Sequence, residues 1–153
     1  MSKRFTEHAT FTIERTFTFS PAKVFGAWVD PAAKALWYVG PDGWINAGHE
    51  LNFRVGGKEH IDISQPGGPS YSFNFYYKDI VPNKRIVYMY SVDQEERRIS
   101  VSLATVEFLS ADSGTRLIYT EQAVFLDGGD KPETREQGTR ELLDKLENLL
   151  RQS

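Results

Sequence analysis

Cysteine is absent from all 153 residues, which excludes disulfides, thiolate nucleophiles and cysteine-based metal sites. A basic stripe is absent too: 18 Lys and Arg stand against 21 Asp and Glu, a formal net charge of −3. Nucleic-acid binding is therefore not expected, because nothing gathers cations for phosphate contacts. Arg97-Arg98 sits beside Glu95-Glu96 and reads as a solvated loop. No run approaches the ~20 apolar residues that a membrane span needs. Met1-Ser2-Lys3-Arg4 leads into polar and aromatic residues, not into the apolar stretch of a signal peptide. A cytoplasmic protein without membrane insertion is the expectation. Histidine is scarce, at 8, 49 and 60, with no HExxH or closely spaced set. Neither a metal nor another cofactor is expected. Linkers, repeats and low-complexity segments are also missing, so one domain over residues 1–153 is expected, with its core at about 10–151.

Aromatic residues are plentiful, at 13% of the chain. Phe11, Ile13, Phe17 and Phe19 alternate with threonines, the period-two pattern of a strand. Ser20-Pro21 then supplies a capping hydroxyl and a proline suited to the first helical position. Asp30-Pro31 repeats the signal, opening a second short helix through Leu36-Trp37. Six strand-like runs follow, near 48–55, 58–65, 70–81, 85–92, 99–109 and 115–125, divided by turn-forming residues. Past Gly128-Gly129 and Pro132, Leu142, Leu143, Leu146, Leu149 and Leu150 recur on one helical face. The order is one strand, two short helices, an antiparallel meander of six strands and one long helix. This is an α+β chain whose curved sheet should close around the C-terminal helix.

Turn lengths predict which side chains share a face. A two-residue turn at Gly56-Gly57 sets Arg54 opposite Glu59 as an ion pair, Phe53 opposite His60 and Leu51 opposite Asp62. A four-residue loop at 66–69 sets Asp62 opposite Phe73 and His60 opposite Phe75. Turns at 83–84, 93–98 and 110–114 set Tyr77 beside Tyr90 and Asp79 beside Tyr88. They also put Tyr90 opposite Val101, Tyr88 and Glu121 opposite Leu103, and Tyr119 opposite Thr105. The predicted inner face thus carries Leu51, Phe53, Phe73, Phe75, Tyr77, Tyr88, Tyr90, Val101 and Leu103, with His60, Asp62 and Glu121 among them. So many aromatic rings and tyrosine hydroxyls suit a cavity better than a dry interior, because a buried Tyr O–H needs a partner. Trp37, near the helix-loop mouth, and Leu142, Leu143 and Leu146 of the facing helix complete the predicted ligand-binding set.

His60 with Asp62 has the makings of a general base oriented by a carboxylate. The competing reading, which needs only a one-residue slip, is that both face solvent. Glu121 would be costly if buried alone. Arg15, which shares parity with Ile13 and Phe17, is its candidate partner, in an ion pair or beside a ligand. The glycine pairs lack the lysine and following helix of a phosphate loop and read as turns.

The strings RTFTFSPAKVFGAWVDPAAKALWYVGPDGW, FRVGG, YYKDIVPNKRIVYMYS, RRISVSLATVEF and GTRLIYTEQAVFLDGGD, in this order, resemble the bacterial homologues of the activator of heat-shock chaperone ATPase. That family lies in the START-like, or SRPBCC, superfamily, and the resemblance covers about residues 10–150. It implies a helix-grip fold of seven antiparallel strands around a long C-terminal helix, with a hydrophobic cavity between. It also implies ligands that are lipids, polyketides or other bulky apolar molecules. Relatives usually carry Gly-Trp early in the final helix. Here Gly138 is followed by Thr139, so a large aromatic is missing near one end of the cavity. The leading functional expectation is a protein that holds an apolar or aromatic molecule and is not an enzyme. The alternatives are a cyclase or aromatase in which His60, Glu121 or a tyrosine moves protons, and a regulator of the chaperone ATPase. Eukaryotic relatives stimulate that ATPase with an extra N-terminal domain for which 153 residues leave no room, so this alternative comes last. A homodimer is carried as an expectation only because two-fold dimers are the commonest oligomers.

Overall fold

The computed structural model describes residues 3–153; Met1 and Ser2, part of the N-terminal stretch read above, lie outside it. Its elements are β1 (Thr6–Phe17), α1 (Pro21–Val29), α2 (Pro31–Trp37), β2 (Ile45–Leu51), β3 (Lys58–Ser64), β4 (Ser70–Val81), β5 (Arg85–Gln94), β6 (Arg97–Ala111), β7 (Gly114–Leu126) and α3 (Pro132–Gln152). The seven strands form one antiparallel sheet in the order β1-β7-β6-β5-β4-β3-β2. The sheet is curved, and α3 lies in its grip: a helix-grip α+β fold.

Both helix starts form as the sequence predicts. The Ser20 hydroxyl accepts from the Lys23 N–H at 3.2 Å, and the Asp30 carboxylate from the Ala32 N–H at 3.1 Å. Each satisfies a donor that the first helical turn leaves free. Leu143, Leu146 and Leu150 of α3 are buried against the sheet, with Leu142 and Leu149 at the margin.

The registers depart from the predicted turn lengths. Gly56-Gly57 makes no two-residue hairpin, because both glycines pair with β4: the Gly56 N–H donates to the Tyr77 carbonyl and the Tyr77 N–H to the Gly57 carbonyl. A Cβ on Gly57 would lie 2.0 Å from the Asn52 carbonyl oxygen, so this close approach requires glycine. The β2–β3 loop is 52–57, Leu51 faces Glu59, and the predicted Arg54–Glu59 pair does not form. The next loop gains Gln65, whose N–H donates to the Pro69 carbonyl. That one extra residue sets His60 opposite Asn74 and Asp62 opposite Ser72, on the outer face of the sheet.

Two bulges then act in opposite ways. In β4–β5 the turn spans 82–84, and a bulge at Lys78 restores the predicted parity, pairing Tyr77 with Tyr88 and Phe75 with Tyr90. Asp79 consequently faces Val87, not Tyr88. In β5–β6 a bulge turns Ile99 and Ser100 both inward, which sets Ser102 opposite Tyr90 and Ala104 opposite Tyr88. Val101 and Leu103 therefore lie on the outer face, Leu103 at 37% exposure. The last turn is two residues, Asp112-Ser113, so Glu121 faces Ala104 and Tyr119 faces Val106. This second slip cancels the first and returns Glu121 to the interior.

Candidate functional site

A cavity of about 250 Å³ lies between the N-terminal half of α3, the loop after α2 and the inner faces of β3 to β6. Its aromatic wall is Tyr38, Trp44, Tyr71, Phe73 and Tyr90; Ile63, Val92, Ile99 and Leu142 supply aliphatic surface. Trp44 stacks on Tyr71 at 5.7 Å between centroids, closing one side. The Lys145 ammonium donates to the Gly40 carbonyl at 2.8 Å and fastens the loop to α3. Gly138 of α3 lines the cavity, and a Cβ there would meet nothing within 4 Å.

Arg135, on the first turns of α3, forms part of the cavity floor and covers a buried ionic network. Its guanidinium reaches Glu121 at 3.0 Å, the Ser100 hydroxyl at 2.6 Å and Asp130 at 3.2 Å. The Glu121 carboxylate also accepts from Ser102 at 2.7 Å, from Tyr119 at 2.6 Å and from Tyr90 at 2.8 Å. Such a buried carboxylate is tolerable because charge and lone pairs are both answered. Burial, followed by the nearby Glu121 charge, pushes the Tyr119 phenol well above its ordinary value. The guanidinium titrates above its usual range: burial alone would lower it, and Tyr90, Glu121 and Asp130 outweigh that effect.

A second buried ion pair stands beside the aromatic core. Lys34 of α2 donates to Glu59 at 2.6 Å and to the Tyr77 hydroxyl at 3.1 Å, while His49 meets the other Glu59 oxygen at 2.6 Å. The ammonium lies 5.2 Å from the ring centroids of both Tyr38 and Phe75, a cation–π setting. Burial would raise the Glu59 carboxyl, but the Lys34 charge and the bonds from His49, Lys34 and Tyr77 hold it below its ordinary value.

Residues 18–151 match the model of the family described as Activator of Hsp90 ATPase homolog 1-like protein. The chain belongs to this family. This membership and the helix-grip fold are consistent with the START-like superfamily that the sequence resemblance implies. The structure of an uncharacterised protein from Rhizobium leguminosarum is similar, with 41% identity, 99% of this chain and 100% of that one covered, and a TM-score of 0.94. A protein from Rhizobium loti shows 44% identity over 95% and 99% of the two chains, with a TM-score of 0.87. The AHSA1-like protein from Aeromonas hydrophila, at 20% identity over 94% of this chain and 92% of its own, shares the fold with a TM-score of 0.72. None of the curated proteins compared matches the chain.

In this member of the Activator of Hsp90 ATPase homolog 1-like family, the predicted site residues divide into four groups. Phe73, Tyr90 and Leu142 line the cavity. Trp37, Tyr88 and Leu143, with Leu142 again, line a smaller void behind it. Phe53, Phe75, Tyr77 and Leu146 belong to the packed core, and Glu121 is sealed beneath Arg135. His60, Asp62, Val101 and Leu103 occupy the opposite face of the sheet and cannot touch a molecule in the cavity.

His60 is also unsuited to act as a base there. One ring nitrogen faces the Asn74 side-chain oxygen at 2.7 Å and the other faces Asp62 at 2.9 Å. Two acceptors favour the doubly protonated ring: the Asn74 bond raises its pKa most, burial opposes it, and the Asp62 bond and charge add to the rise. Arg15 is not the partner of Glu121; it donates to Asp144 at 2.6 Å and to the Arg140 carbonyl.

Sequence reasoning passed over Arg135 and Lys34, and gave Glu59 to Arg54 where the structure pairs it with Lys34. Arg135 precedes Leu142 and Leu143 by seven and eight residues, which places it on their helical face. Lys34 lies three residues before the buried Trp37, whereas the apolar Leu36 is 67% exposed. Among the described residues, no group of three His, Cys, Asp or Glu side chains is placed to hold a metal ion, and no helix is long and apolar enough to cross a membrane.

Proposed function

We propose that this protein binds a small apolar or aromatic molecule in the cavity between α3 and the sheet. The observation that carries the reading is the walled space itself: five aromatic side chains around about 250 Å³, with Asp130, Thr134, Arg135, Thr139, Glu141 and Lys145 as the polar side chains along α3 and the loop before it. Ligand sites typically combine a mostly apolar concave wall with a small number of placed polar groups. The volume is just under the usual ~300–1,000 Å³ range, so it suits one or two fused rings or a short acyl chain better than a long lipid.

Proton-transfer chemistry has less support. His60 faces away, and the Glu121 oxygens are engaged by Tyr90, Ser102, Tyr119 and Arg135. Trp44 in the wall supplies an intrinsic fluorescent reporter. Titration with naphthalene-sized aromatic compounds should quench its emission, raise the melting temperature by several degrees and yield one-to-one complexes in native mass spectrometry. Unchanged fluorescence and melting across such a panel, with no adduct in the mass spectrum, would defeat the proposal.

A further inference from the structure

Behind the cavity lies a small void of about 10 Å³, walled in part by Trp28, Trp37, Tyr88 and Tyr119. That is room for one water-sized atom group. Tyr38, Thr139 and Leu142 line both spaces and form the partition between them. Of the three, Thr139 has the shortest side chain, on a buried turn of α3.

The chemistry of the void comes from Trp28. This residue is 2% exposed, and its indole Nε1–H has no hydrogen-bond partner among the described residues. The neighbouring Trp37 shows the usual arrangement, donating to the Ala27 carbonyl at 2.9 Å. Buried N–H groups are nearly always paired, so an unpaired one on a residue that lines a void marks a place for an acceptor. That acceptor should be neutral. An anion entering here would lose its hydration and gain no counter-ion, because the nearby cations Arg135 and Lys34 are already paired with Glu121 and Glu59.

We infer that the void is the terminal subsite of the cavity, where a neutral oxygen of the bound molecule, a ketone, lactone carbonyl or hydroxyl, passes Thr139 and accepts a hydrogen bond from Trp28. The inference rests on the cavity being a ligand site, and it narrows the ligand class from apolar molecules in general to those ending in an uncharged oxygen. Trp28 acts as a specificity determinant, and Thr139 sets how far a ligand can reach.

The test uses two compounds of nearly equal shape, 2-acetylnaphthalene and 2-isopropenylnaphthalene, which differ in a carbonyl oxygen against a methylene. Calorimetry on the full chain should show the ketone binding about tenfold tighter, as expected when a buried donor gains a partner. The Trp28 Nε1–H resonance, assigned with single Trp→Phe variants, should move downfield with the ketone and not with the hydrocarbon. Trp28→Phe should bind both compounds equally. The resonance measurement decides the matter even if that variant folds poorly, since it is made on the unaltered protein. Binding of neither compound would overturn the ligand-site reading and this inference with it. Equal affinities with an unmoved indole resonance would overturn the subsite alone, and so would cross-relaxation from Nε1–H to a resident water in both complexes.

Discussion

Gly138 offers a substitution whose effects on stability and binding should have opposite signs. It lies within the 21-residue helix α3, where glycine costs about 0.8–1.0 kcal/mol relative to alanine. It lines the cavity, and a Cβ would meet nothing within 4 Å, so alanine fits without strain and a longer side chain would extend from an open start. Gly138→Ala should therefore stabilise the ligand-free protein by about 1 kcal/mol, a rise of roughly 3 °C in melting temperature for a domain of this size. Gly138→Leu keeps that gain and shields further methyl and methylene groups. Each is worth about 0.8 kcal/mol when fully buried, and about half of that is expected in an open-mouthed cavity, for a total near 2 kcal/mol. The leucine also takes space that a ligand needs, and forcing both into one volume costs about 1–3 kcal/mol, or roughly 5–150-fold in affinity. Differential scanning calorimetry without ligand and calorimetric titration with 2-acetylnaphthalene read the two effects separately. A destabilised Gly138→Leu would show that the space beside Gly138 is not open. Wild-type affinity in a stabilised Gly138→Leu would show that ligands bind elsewhere.

The buried ion pairs make further predictions. Arg135→Met should cost about 3–5 kcal/mol in urea denaturation, since it leaves Glu121 charged and uncompensated, and the double variant Arg135→Met with Glu121→Met should recover most of the loss. Glu59 has a folded pKa below its ordinary 4.5, so its contribution is present above about pH 4.5 and lost as pH falls through the folded value. Glu59→Gln should flatten that acid limb of the stability profile. His60 behaves oppositely, with a folded pKa raised above 6.5: its contribution is complete below that pH and fades as pH climbs through the folded value. The His60 ring proton shift in NMR should titrate above 6.5, and Asn74→Ala should move the midpoint down; an unmoved midpoint would refute the assigned hydrogen bond.

Much of the architecture was legible along the chain because its signals are local. Ser20-Pro21 and Asp30-Pro31 open helices because the Ser20 and Asp30 side chains accept from N–H groups two or three residues on, and the leucine spacing of α3 is a property of one helix. The alternation at Phe73, Phe75 and Tyr77 likewise assigned those rings to one face without knowledge of the neighbours. Relations between strands were less legible. Gln65 lengthened one loop and reversed His60 and Asp62; the bulge that turns both Ile99 and Ser100 inward reversed Val101 and Leu103. Glu121 reached the interior through two such shifts that cancel.

By itself, then, the sequence determined the element order, the helix boundaries, the aromatic character of the sheet and, through resemblance, the family. Only the tertiary structure decided which polar groups face inward and what answers them: Arg135 over Glu121, Lys34 on Glu59, and an unpaired Trp28 beside a void. The physical reason is that side-chain period is set within a strand, whereas the offset between strands is set by hydrogen bonds at loops and bulges. A single residue of offset exchanges the buried face for the exposed one.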